Sequence, residues 1–231
     1  MLDLFNIAKP QGCDIQKFTG AAPYSGSVVT QYSWVKPRGV SHVYMMLIGA
    51  GGENNFGAST EGGGSGAVTV WYGAAQHVPD NLVISIPVRQ SPTATQVIYR
   101  AKTDTVLLSA DGGVNNSAGS AMTANQFTAS GFFQSVAGQD GTNTNIGASA
   151  TTFLCGGGGV AATTATGNYG YATGTGNKGG GYFQLQPIIV GSPAAGAGTS
   201  TSGVAGIGCG GAGSSTATLY GGPGMVLIAS W

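Results

Sequence analysis

Between Gly112 and Trp231 the chain runs for 120 residues with two charged side chains, Asp140 and Lys178, and holds 30 of the 43 glycines. Side chains this small cannot fill an ordinary hydrophobic core, and glycine loses more backbone entropy on folding than any other residue. Order in such a region has to come from the backbone itself. Glycine runs have one route to it: extended polyproline II-like helices of about three residues per turn, packed backbone to backbone with their amides paired to neighbouring segments. The clusters CGGGGV, NKGGGYF, GCGGAG and YGGPG suit that arrangement, and the absence of a strict G-X-Y period excludes collagen. Added β-strands are the competing account. Disorder is disfavoured, because 42% of the residues are hydrophobic and the formal net charge is zero, whereas disordered chains combine low hydrophobicity with high net charge.

The other segments read as strands. Residues 42–48, HVYMMLI, are apolar almost throughout, which predicts a strand buried on both faces. Further strands are predicted around Trp34 and over residues 67–72, 82–88, 95–99, 105–110 and 225–231. In NLVISIPV, Leu82, Ile84 and Ile86 share one face; in MVLIASW, Met225, Leu227, Ala229 and Trp231 alternate with Val226, Ile228 and Ser230. Short strands separated by Gly, Pro and Asn turns define an all-β fold, a β-sandwich-like module with a large glycine-rich, polyglycine II-like insertion. The expected division is an N-terminal attachment arm over residues 1–33, a β-module over 34–111, a glycine-rich display region over 112–224, and a closing strand over 225–231.

The glycines after residues 42–48 invite a phosphate-binding reading, which fails on spacing. Gly49 and Gly51 begin G-x-G-x-x-G, but the third glycine position is Asn54 and the run VTVWY from Val68 predicts a strand where a helix is needed. Catalysis lacks a constellation. His42 and His77 lie at strand edges, Asp80 near His77 is explained as a turn former after Pro79, and Asp104, Asp111 and Asp140 also occupy turn positions. The segment DGTNTN from Asp140 lacks the spacing and terminal Glu of a calcium loop. The expectation is a protein that is not an enzyme and uses no cofactor or metal.

Partners are bounded in the same way. With no basic stripe, nucleic acid is excluded, and the longest apolar run, residues 43–48, is far short of the roughly 20 residues a membrane helix needs. No secretory signal precedes the strands, so synthesis in a cytoplasm is expected. Cys155 and Cys209 each precede a glycine run; two buried thiols and a Cys155–Cys209 disulfide both remain open. Tyr169, Tyr171, Tyr182, Phe183 and Tyr220 interrupt the glycine-rich region. They are either core residues or, if the glycines pack through their backbone, aromatic contacts carried on loop tips.

Trp34, Pro37 and Gly39, then Gly49, Ala50, Gly51 and Gly52 at a strand end, then Gly62, Gly63, Gly64 and Gly66 running into Ala67, and finally Gly222, Gly224 and a strand closing on Trp231 form an ordered set of landmarks. In this order they resemble the glycine-rich domain of bacteriophage tail fibres, adhesins and minor tail proteins, over about 200 residues from Trp34 onward. The sequence departs from that pattern after residues 82–88, where RQSPTATQ stands in place of a further glycine cluster. The resemblance implies a virion structural protein made in the host cytoplasm, a tail fibre or tip adhesin that binds the host surface through loops of the glycine-rich domain. Its implied partners are other virion proteins and a host surface glycan or outer-membrane protein, with the aromatics at 169, 171, 182, 183 and 220 as contacts. It also implies a homo-oligomer, trimers being the habit of closed fibre tips. The short length and missing shaft leave a second expectation, a capsid decoration or minor capsid protein that stabilises the particle.

Overall fold

The computed structural model describes residues 12–20, 29–53, 63–87, 93–141, 207–208, 210 and 221–231 in full, and residues 183–185 and 188–190 through their backbone. Among them are eleven strands: β1 (Asp14–Thr19), β2 (Val29–Val35), β3 (His42–Ile48), β4 (Val68–Ala74), β5 (Asn81–Pro87), β6 (Thr95–Arg100), β7 (Asp104–Ala110), β8 (Gly131–Val136), β9 (Phe183–Leu185), β10 (Ile188–Val190) and β11 (Met225–Ser230). They form a five-stranded sheet in the order β1-β11-β3-β4-β8, a four-stranded sheet in the order β2-β5-β6-β7, and the separate pair β10-β9. All pairings are antiparallel. The expected all-β, sandwich-like module is therefore present.

Period-two alternation sets the faces. From β3, Val43, Met45 and Leu47 point between the sheets, meeting Val226 and Ile228 of β11, Trp71 of β4, Leu82, Ile84 and Ile86 of β5, and Trp34 of β2. Met46 and Ile48 take the opposite face of the five-stranded sheet, with Val68, Met225 and Leu227. From Met45 to Ile48 β3 is buried on both faces, as its apolar run predicts, whereas His42 and Tyr44 on the outer face are half-buried. Each fully buried Leu or Ile here contributes about 1.5–3 kcal/mol. Trp71 lies in a recess of its strand: a methyl group added at Gly73 or Gly131 would run into its ring, and Phe127 packs on it at 4.7 Å between ring centroids.

Four strands fall where the sequence predicts none. β1 belongs to the segment read as an attachment arm, yet it pairs with β11 over six residues, from Asp14 opposite Ser230 to Thr19 opposite Met225. β2 likewise begins at Val29, inside the same segment. Residues 1–33 accordingly supply one strand and most of another to the body, rather than a separable arm. β8 lies within the region assigned to the glycine insertion but closes the five-stranded sheet against β4. Both β1 and β8 are edge strands with mixed polarity, and Phe132 of β8 is 60% exposed, so neither carries the alternation that marks a half-buried strand. The other two, β9 and β10, form a short antiparallel pair within the glycine-rich region.

Candidate functional site

β3, β4, β8 and β11 all meet glycine-rich segments at the same end of the sandwich: residues 49–53 follow β3, 63–67 precede β4, 137–141 follow β8 and 221–224 precede β11. Residues 111–119, after β7, join them. Segment 63–67 is at the centre. Its consecutive amides donate to different neighbours: Gly64 N–H to Asn115 O at 2.8 Å, Ser65 to Gln139 O at 2.8 Å, Gly66 to Gly208 O at 2.9 Å, and Ala67 to Asp111 O at 2.9 Å. Gly64 and Ala67, three apart, thus address the same segment. The carbonyls repeat the pattern, since Gly64 O accepts from Gly52 N–H at 2.7 Å, Ser65 O from Gly119 at 2.9 Å, and Ala67 O from Gly49 at 2.8 Å.

A β-strand directs its hydrogen bonds to two sides alternately. A return to the same partner every third residue is instead the signature of a polyproline II-like helix of three residues per turn, surrounded by others of its kind. At this centre the described glycine segments pack in the manner of such a lattice, built on residues 49–53 and 63–67 of the expected β-module together with 111–119 and 137–141, while residues 142–182, with the cluster CGGGGV, lie outside the described residues. Space, more than φ, requires glycine there. A methyl group at Gly66 would collide with the Gly49 backbone, at Gly63 with Gly52, at Gly64 with Ser117, at Gly113 with Gly64, at Gly210 with Gly63 and at Gly221 with Gly51.

Side chains appear only where the lattice leaves a gap. Ser65, fully buried, accepts the Gln139 N–H on its Oγ at 2.8 Å, and Asp140 accepts the Ala118 N–H on Oδ1 at 2.8 Å from the rim. Burial pushes the Asp111 carboxyl above its ordinary pKa. The amides of Gly49, Gly51, Gly52, Gly64 and Gly66 are all engaged by backbone carbonyls, so none of these five N–H groups is free to meet a phosphate.

In sequence, residues 54–62, 142–206 and 211–220 connect the described lattice segments ending at Glu53, Gly141 and Gly210 to those beginning at Gly63, Ile207 and Gly221. Tyr169, Tyr171, Tyr182 and Phe183 all fall in the second of these connecting stretches and Tyr220 in the third. Phe183 opens β9, paired with Val190; the four tyrosines lie outside the described residues, as do Cys155 and Cys209. Of the acids weighed for chemistry, Asp80 pairs with Lys36 at 2.9 Å and Asp104 with Arg100 at 3.1 Å across the β6–β7 turn. Among the described residues no three of His, Cys, Asp and Glu converge as metal ligands, and no helix is long and apolar enough to cross a membrane. No protein-family model matches the chain, and no curated protein matches it.

Proposed function

We propose that this chain is a bacteriophage virion structural protein, a tail-fibre or tip adhesin that meets the host surface through the segments carried on its glycine lattice. One observation carries this reading: a backbone-packed lattice built largely of glycine joins strand ends at one end of a β-sandwich, and in sequence residues 54–62, 142–206 and 211–220 connect its described segments. Recognition residues are commonly borne on loops held by a rigid scaffold. A lattice whose cohesion depends on its own glycines leaves the intervening sequence free to change without disturbing the support. The ordered landmarks from Trp34 to Trp231 favour the same class, with a host glycan or outer-membrane protein as the target of residues 142–206 and 211–220.

The test is localisation on whole particles by immunogold labelling and cryo-EM with copy number, followed by exchange of residues 142–206 and 211–220 between phage strains of different host range. Label at a tail or spike tip, with host range following the exchanged segments, is the expected result. Label spread over the head in hundreds of copies would replace this reading with a capsid-stabilising role.

A further inference from the structure

At the end of the sandwich remote from the lattice, the outer face of the five-stranded sheet carries a group of rings that the core does not need. Trp231, one residue past β11, is held against the start of β3 by its backbone: its N–H donates to His42 O at 3.2 Å, and its carbonyl accepts from Ser41 N–H at 2.7 Å, His42 N–H at 3.0 Å and Ser41 Oγ–H at 3.1 Å. The ring of Trp231 is 5.8 Å from that of Tyr72 and 6.1 Å from that of His42, and the Tyr72 and His42 rings are 5.6 Å apart. The planes differ by 11°, 20° and 17° for the same three pairs. Three nearly equal separations exclude a face-to-face column, in which one separation would be twice the others. The rings overlap as shingles in one shelf.

We propose that this shelf binds a neutral saccharide through His42, Tyr72 and Trp231. A cross-strand row extends it, because Tyr72 is opposite Phe132 on one side and Tyr44 on the other, and Tyr44 in turn is opposite Ala229 and Ala229 opposite Ile15. Phe132 is 60% exposed and Ile15 46% exposed, whereas one row nearer the lattice Met46 and Leu227 are buried. The solvent-facing patch is thus a handful of side chains, well short of the roughly 20–30 residues per side of a stable protein interface. It has the dimensions of one or a few sugar rings.

The chemistry is complementary. A pyranose offers a flat face of C–H groups for aromatic rings and a rim of hydroxyls for polar groups. Around the shelf, the Tyr72 and Tyr44 hydroxyls have no hydrogen-bond partner among the described residues, and Ser41 and the exposed Gln134 stand beside it. Tyrosine hydroxyls both donate and accept. Burial raises the Tyr44 phenol to about 12, which keeps it a neutral donor. No Asp, Glu, Lys or Arg stands in the row or among the three rings, and the cation on this face, Lys17, is one row nearer the lattice at the β1 edge, opposite Leu227, so no Lys or Arg within the row itself would favour a sialylated or sulfated sugar. This site is separate from the lattice-borne segments and does not depend on the adhesin reading.

The molecule carries its own reporter. Of its three tryptophans, Trp34 and Trp71 are 1% and 0% exposed, leaving Trp231 accessible to a quencher. The purified full chain should be titrated with cellotriose, chitotriose, maltotriose and galactotriose up to about 10 mM, a range suited to weak binding, while acrylamide quenching of tryptophan emission is followed. At least one trisaccharide should protect Trp231 saturably. Tyr72→Ala should weaken that binding about tenfold and Phe132→Ala, at an exposed position, by a smaller factor, with Tyr72→Phe close to the original protein. Absence of protection by all four sugars would overturn the proposal, as would protection that survives both alanine variants. So would protection by acidic sugars alone, or protection that grows with protein concentration as dimers form in sedimentation, since the face would then join two copies of the chain.

Discussion

At Gly66 the space a side chain would take is occupied by the backbone of Gly49, whereas at Gly39 the surroundings are empty and the backbone itself is left-handed, with φ of +81°. The same substitution therefore costs differently at the two sites. Gly66→Ala forces two lattice segments apart in a place where neither is a flexible side chain, and should destabilise the fold by about 3 kcal/mol or more. Gly39→Ala carries only the left-handed penalty of about 1–2 kcal/mol. Gly12, with open space and no positive φ, should accept alanine with no loss, or a gain of up to about 1 kcal/mol from a less flexible unfolded chain. Urea unfolding of the three variants tests the order. A Gly66→Ala protein no weaker than Gly39→Ala would mean that the lattice relaxes as a liquid core does.

Among the elements, β1 separates what is dispensable from what is structural. It covers the edge of β11 over six residue pairs and places Phe18 on the core, 5.4 Å from the Tyr32 ring, whose hydroxyl donates to Thr19 O at 2.7 Å. Removing residues 1–11 leaves every described strand whole and should lower the melting temperature less than a deletion that also takes β1. Removing residues 1–20 bares a β11 edge made of Met, Val, Leu and Ile, and should lower the melting temperature and produce aggregates on size-exclusion chromatography. Equal melting of the two truncations would show β1 to be passive. The same strand shows where the sequence stops being legible. Strands with an apolar face, such as β3, β5 and β11, were readable from alternation alone, but β1 and β8 sit at sheet edges where DIQKFT and GFFQSV have no need to alternate. The lattice was legible as composition; its membership was not, because residues 49–53 and 63–67 look like turns until their partners return every third residue. The aromatic shelf escaped for a different reason. Its rings are far apart in sequence, and only the outward phase of His42 against Val43, and of Tyr72 against Trp71, hints that they share a face.

For the molecule as a whole, the order of assembly follows from which contacts are local. β5, β6 and β7 form a meander whose pairings join near neighbours in sequence. The lattice does the opposite: Gly51 donates to Gly222 and Gly66 to Gly208, at 2.8 and 2.9 Å, and β11 must reach back across most of the chain to pair with β3. Closing such long loops costs entropy before any hydrogen bond repays it, so non-local pairing forms late. The meander should therefore be structured in the folding transition state and the lattice should not. In stopped-flow chevrons, Gly66→Ala should raise the unfolding rate by nearly the whole of its destabilisation and leave the folding rate unchanged, a φ-value near zero. Ile84→Val, which trims the buried β5 by about 1 kcal/mol, should slow folding, with φ around 0.5. If Gly66→Ala slowed folding in proportion to its cost, the lattice would be part of the nucleus.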